Sequence, residues 1–416
     1  MFSVFTNAWK VKDIRQKIVY IIMIIAIYRL GAHIPLPGVD PVLLKTATTG
    51  SAAMTMYSMI LGGEVGTLFA MGIGPYITAS IIMQLLTVAV PRLEQIQKEG
   101  EEGRKKINQI TRFTAVGMAI LQGSGTVYSM RNLLYHQNFL AMLTATVALV
   151  TGTIFIMWLS ELLTEKGIGN GASFIIFANI LAGLPGAVTN LYLNATGGDI
   201  WGYVRVALLL ALFVVVITFV VLVQSGERRI PVQYSKKMVG RQMQGGQSSF
   251  IPIKVNIAGV MSIIFAISLL QFPVIISQFW SPDWINQLVR YLDINHPVGA
   301  TLYVILIFCF TFFYTSFAIN PNEMAENMKK NGGFIPGIRP GKPTSEYIQR
   351  TVDRLSWVGA FFYAVIALLP VVFSWIFSIQ IGFGGTTLLI VTGVCLEFVK
   401  QLQSQLLMRH YKGFLK

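Results

Sequence analysis

AMGIGPYITASIIMQLLT, residues 70–87, contains no charged side chain. Gly72, Gly74 and Pro75 interrupt an otherwise apolar run. Ile73 and Ile77 are four residues apart and so share one face of a helix. Pro75 has no backbone donor and is expected to loosen the helix where it sits. A run of this length and apolarity is read as a membrane span, where glycine and proline are tolerated because neighbouring helices satisfy the freed backbone groups.

Working outward, the same pattern recurs along the chain. A span needs about 20 mostly apolar residues. Ten stretches meet this: 18–37, 67–90, 112–132, 139–160, 172–192, 201–224, 255–279, 298–320, 355–377 and 383–400. Residues 48–63 are apolar but too short to cross, which makes them re-entrant, interfacial or folded into a cavity. Hydrophobic residues are 54% of the 416 and charged residues only 12%, about half the ~25% of a soluble domain. Lipid removes the need to hide so much apolar surface. The N-terminal basic residues and apolar run resemble a signal peptide, but the run continues into RLGAHIPLPGVD (29–40) with no small-residue cleavage pattern, so an uncleaved first helix is expected.

Charge placement orients these spans. With the N-terminus inside and the spans alternating, 27 of the 32 Lys and Arg fall in inside segments. The other five are Arg29, Lys45, Arg131, Arg205 and Arg290. One missed span would invert everything after it, so the split supports an even number of spans with both termini cytoplasmic. The net charge of +14 therefore reads as membrane orientation rather than nucleic-acid binding. Arg29 lies near an outer helix end. Snorkelling, local pairing and a role in conduction are all open to it. Two inside loops, 226–254 and 321–354, are long, basic and rich in Gly and Pro. They are either solvated loops that fix topology or a docking surface for a cytosolic partner.

Patterns for chemistry are missing. GIRPGKPT (337–344) has Pro343 where a phosphate loop needs Ser or Thr, and GIGNG (167–171) follows a membrane helix rather than a strand. Cys309 and Cys395 form no CxxC and are expected to be free, buried thiols. The four histidines are scattered without ligand spacing. No enzyme activity, cofactor or metal is expected. Glu161, Asp353 and Glu397 fall at inside helix ends, while Asp40, Glu64, Asp199, Asp283 and Asp293 lie at or beyond the outer boundary. The lack of carboxylates at mid-membrane counts against the main rival reading, a secondary transporter of small solutes.

Several segments together resemble the SecY family of protein-conducting channels. They are RLGAHIPLPGVD (29–40), AMGIGPYITASIIMQLLT (70–87), KEGEEGRKKINQITR (98–112), TEKGIGNGASFIIFA (164–178), ERRIPVQYSKK (227–237), IPIKVNIAGV (251–260), NGGFIPGIRPGKPT (331–344), FGGTTLLI (383–390) and MRHYKGFL (408–415). The resemblance implies an all-α polytopic membrane fold with ten transmembrane helices. They form two pseudo-symmetric five-helix halves, 1–200 and 201–416, around a central pore. By family motif the pore ring comprises Ile73, Ile77, Ala172, Ile176, Ile264 and Ile390. Ala172 departs from the isoleucine common there, which implies a looser seal. Segment 51–64, with Met54, Met56, Tyr57, Met59, Ile60 and Leu61, matches the plug.

Thr78, Gln122 and Asn256 match polar positions of a lateral gate, which are expected to bond one another when the gate is closed. Lys236, Lys237, Arg241 and Arg339 match the cytosolic docking loops. The family often has a second arginine after Arg241, where this chain has Gln242. The implied function is translocation of unfolded secretory polypeptides across the cytoplasmic membrane and insertion of membrane helices into it. The implied partners are SecE, SecG, the SecA motor ATPase, the ribosome and signal peptides.

Overall fold

The computed structural model describes residues 2–40, 66–196, 200–234, 237–239, 242–244, 248–279, 282–377 and 385–413. Its helices are α1 (Phe2–Lys10), α2 (Lys12–Gly31), α3 (Gly74–Ala89), α4 (Pro91–Lys98), α5 (Glu101–Ser129), α6 (Phe139–Lys166), α7 (Gly171–Thr196), α8 (Ile200–Ser225), α9 (Met261–Phe279), α10 (Asp283–Leu292), α11 (Pro297–Ala318), α12 (Pro321–Lys330), α13 (Lys342–Phe377) and α14 (Gly385–Gly413). Each of the ten apolar stretches overlaps one of them. Among the described residues, Phe139–Lys166, Pro297–Lys330 and Lys342–Leu369 are each long and apolar enough to cross a membrane, and α3 with α4 is a fourth candidate bent by 99°. Pro91, at the start of α4, marks that bend.

Chain contacts divide the fold into two compact units: Met1–Leu208 with Ser268–Tyr291 and Phe373–Lys416, and Leu209–Ile267 with Leu292–Val372. In the first, the described residues between α2 and α3, 32–40 and 66–73, form turns and isolated bridges rather than helix, and some of their backbone groups bond across the gap. Leu36 N–H donates to Gly66 C=O and Leu68 N–H to Ile34 C=O, both at 2.9 Å. Phe69 stacks on Tyr28 at 5.9 Å and on Phe155 at 6.0 Å between centroids. Close approach here requires glycine. A Cβ on Gly31 would overlap the Phe69 ring, and one on Gly152 of α6 would overlap the Leu68 carbonyl. Gly72 has φ +52°, a left-handed value that glycine adopts without steric cost.

The expectation for Pro75 is corrected. It does not loosen a continuing helix but stands in the first turn of α3, where the missing donor is unneeded and the fixed φ favours initiation. The expected span 67–90 is thus turns to residue 73 and helix only from Gly74. Beyond it, α5 packs beside α6, with Gly123 giving room for Met71 and Val150. A buried cluster of Met71, Ala119, Val127 and Leu149 fills the space between.

The second unit contains a departure from uniform helix. Strands β1 (Glu227–Tyr234) and β4 (Ser248–Lys254) form an antiparallel ribbon in the expected loop 226–254, joined by a minor pair, β2 (Lys237–Val239) and β3 (Gln242–Gln244). Alternation explains it: Ile230 and Val232 are buried while Arg229, Pro231 and Gln233 face out. The ribbon leaves α8 and returns towards α9, and Val255 N–H donates to Gly226 C=O at 3.0 Å where the two legs meet. Strand β5 (Gly333–Phe334) pairs with the end of β1 through Gln233–Phe334 and Tyr234–Gly333.

The cysteine expectation is half right. Both thiols are free, but Cys309 and Cys395 are exposed rather than buried. In a membrane protein an apolar side chain need not turn inward, because lipid solvates it equally well.

Replacing Gly152 with Val should force the α2–α3 connection off α6. The expected cost is about 1–3 kcal/mol, read as a lowered thermal midpoint of the detergent-solubilised protein. Gly117→Ala on α5, with open space around its Cβ position, should leave the midpoint essentially unchanged.

Candidate functional site

Three groups of residues carry the candidate site. The ring positions sit near helix starts. Ile73 is the residue before α3 and fully buried, and its carbonyl accepts from Ile77 N–H at 3.1 Å. Ala172 and Ile176 lie in the first turns of α7, Ala172 half-buried and Ile176 buried. The N–H of Ala172 is capped by Asn170 Oδ1 at 2.9 Å. Ile390 is buried in α14, which packs on α7, partly through the edge-on contact of Phe174 and Phe398 at 5.4 Å. Ile264, half-buried, lies in the first turn of α9 within the second unit. The plug segment 51–64, with Met54, Met56, Tyr57, Met59, Ile60 and Leu61, lies outside the described residues.

The gate positions are polar groups in apolar settings. Thr78 is buried, and its hydroxyl donates to Gly74 C=O of its own helix at 3.1 Å. Gln122 is half-buried on α5, which packs against α3. Asn256 lies in the 255–260 connection before α9, and among the described residues its buried Oδ1 accepts no hydrogen bond. The expected bonding of gate residues to each other is thus met at Thr78 by an internal bond instead. Threonine in a helix reaches the carbonyl four residues back more readily than a neighbour's side chain.

The docking residues are better organised than the sequence suggests. The two long loops form one body, not two. Ile230, Val232 and Ile253 of the ribbon share a buried cluster with Met328, Ile335, Ile348 and Val352 from the 321–354 region. From this base Arg339 projects, exposed, between Gly337 (φ +81°) and Gly341 (φ +103°). The carbonyl of Arg339 accepts from the buried hydroxyl of Thr344 at 2.9 Å. Beside it, the hydrogen bond and charge of Lys330, 2.9 Å away, hold the Glu326 carboxyl below its usual pKa. Lys236 and Arg241 lie outside the described residues, and Lys237 begins β2.

Three contacts escaped the sequence reading. Asn179 on α7 accepts from Arg29 Nη1 at 3.4 Å, which places Arg29 in local pairing. Glu161 on α6 pairs with Arg112 on α5 at 2.6 Å, tying these helices at one end. Thr344 had a visible signal, since KPTSE (342–346) has the form of a helix start.

Among the described residues, several helices long and apolar enough to cross a membrane define a multi-pass helical membrane protein. The SecY family model matches residues 67–399. A protein translocase subunit SecY of Streptomyces galbus is 42% identical over 442 aligned positions, covering 100% of both chains. Among solved structures, one described as a protein conducting channel aligns with TM-score 0.63 and 19% identity over 92% of this chain and 91% of the other. The idle yeast Ssh1 complex bound to the yeast 80S ribosome aligns with TM-score 0.64 and 18% identity over 91% of this chain and 87% of that one. The chain belongs to the SecY family.

Thr344→Val should remove the bond to the Arg339 carbonyl at nearly constant volume. The loss of about 1 kcal/mol should raise amide hydrogen exchange at the non-proline residues of the 337–342 tip about fivefold, read by mass spectrometry. The helices themselves should stay protected.

Proposed function

We propose that this chain is the channel subunit through which unfolded secretory polypeptides cross the cytoplasmic membrane and from which hydrophobic helices pass into lipid. The observation that carries this is the end-to-end 42% identity to a translocase subunit. Under this reading both termini are cytoplasmic, as the distribution of basic residues favours. Residues 1–200 and 201–416 are the two halves around the pore, with SecE and SecG as companion membrane subunits.

The physics suits an apolar ring at Ile73, Ile77, Ala172, Ile176, Ile264 and Ile390. A passing polypeptide presents every kind of side chain. Isoleucine makes no directional bond to any of them, so the chain slides. An ion finds nothing at the ring to replace its hydration shell, so leakage stays costly. Plug segment 51–64 closes the idle channel. Thr78, Gln122 and Asn256 line the seam through which a signal peptide reaches lipid. The buried Oδ1 of Asn256, unbonded among the described residues, supports this, because a buried acceptor left without a partner destabilises its present setting.

Work for transport comes from SecA or the ribosome, which dock on the body carrying Arg339, with Lys236, Lys237 and Arg241 in the same loop pair. Its shared core supports that role, because a rigid base fixes where the exposed arginine stands.

Ile77→Ser with Ile176→Ser should raise ion conductance of the idle channel in planar bilayers by an order of magnitude or more. Unchanged conductance removes these two residues from the ring. Arg339→Glu should impair SecA-driven export of a secretory precursor while leaving membrane assembly intact. Normal export by that variant removes the docking role of the tip. A stalled secretory chain should crosslink to cysteines placed at both Ile77 and Ile264.

A further inference from the structure

A cleft of about 550 Å³ runs between α5 and α6, closed on one side by Phe279 at the end of α9. Its walls are carbon: Ile120 and Val127 on α5, and Met142, Leu143 and Val150 on α6. The hydroxyls in the lining are already used. Ser124 donates to Ile120 C=O at 2.8 Å, Thr146 to Met142 C=O at 2.8 Å and Thr151 to Val147 C=O at 2.7 Å. With those protons committed, the lining presents mainly carbon, which suits a hydrocarbon better than a polar solute.

Length and width identify which hydrocarbon. The α6 lining extends from Phe139 to Thr151, about 18 Å at 1.5 Å per residue. One leaflet's share of a ~30 Å hydrocarbon core is about 15 Å, so the cleft spans one leaflet and stops. An extended hydrocarbon chain is far narrower than a helix, whose diameter with side chains is about 10–12 Å, and the length and carbon walls of the cleft suit such a chain.

The mouth supplies a headgroup contact. Arg131 lies at the 130–138 turn with its guanidinium 5.0 Å from the centre of the Tyr128 ring, and its Nη1 donates to Tyr128 Oη at 3.2 Å. Tyr128 itself lines the cleft. Among the described residues no carboxylate forms an ion pair with Arg131. A guanidinium has five N–H donors, which leaves several for a phosphate. Tyr128, Tyr135 and Phe139 are exposed in this part of the chain, as in an aromatic belt at a membrane interface.

We propose that this cleft seats one anionic phospholipid of the leaflet on the 130–138 side, with an acyl chain along α5 and α6 and its phosphate on Arg131. The seat flanks the turn of α5 that bears Gln122, so an occupied cleft braces that helix. The inference rests on the chain being a multi-pass membrane protein, not on what crosses it.

The test uses the full channel complex in phosphatidylcholine vesicles with a minor share of phosphatidylglycerol carrying an acyl-chain diazirine. After photolysis, labelled peptides are mapped by mass spectrometry. Label should concentrate in 120–128 and 139–151 relative to 214–222 on α8, where Val214 and Leu222 are also exposed. Arg131→Gln should lower that enrichment about fivefold, the equivalent of the ~1 kcal/mol of one basic residue near an anionic surface. Val147→Trp, which fills the cleft, should abolish it. Equal labelling of the three segments in the wild-type protein overturns the proposal and leaves ordinary lipid contact. So does enrichment that is the same with a diazirine phosphatidylcholine and insensitive to Arg131→Gln. Displacement of the label by a synthetic signal peptide overturns the choice of occupant.

Discussion

Hydrocarbon offers a peptide group no water to bond, and this one constraint explains where the chain is helical and where it is not. The described residues 32–40 and 66–73, between α2 and α3, are not helical and show what such a break requires. Residues 34–36 and 66–68 bond to each other across the gap. Phe69 is held between Tyr28 and Phe155. Glycines at 31 and 152 bring α2 and α6 close enough to seal the arrangement. Only because the break is sealed can α3 start at Gly74, and that start fixes Ile73 and Ile77 one turn apart at its head.

The same constraint explains why the body built from 226–254 and 321–354 can be different. Outside the membrane, water solvates whatever a ribbon leaves unpaired, so strands become permissible. A small core of seven buried apolar residues then does what lipid does elsewhere, excluding water from one face. Arg339 inherits its position from that core and from the Thr344 bond beneath it. Charge on this body is therefore presented from a fixed base rather than from two independent loops.

Much of this was legible in the sequence, because membrane helices announce themselves by composition. Each of the ten apolar stretches overlaps a helix, though not over its full length. Their ends were less legible. Helix α5 begins at Glu101 and α13 at Lys342, well before their apolar parts, because a helix continues into water at no penalty and hydropathy does not mark the crossing. Pro75 was misread because a proline that starts a helix and one that bends it look alike until the preceding turn is known. The ribbon's alternation at Ile230 and Val232 is only two residues deep and interrupted by Pro231. Of the candidate site, motif positions could be read one at a time. Which distant residues touch them could not, since neither Asn179 nor Glu161 carries any local sign of its arginine.

The bond from Val255 N–H to Gly226 C=O closes the base of the ribbon, one residue past the end of α8 and one past the end of β4. The two strands therefore share a single root, and a load on either is borne by both.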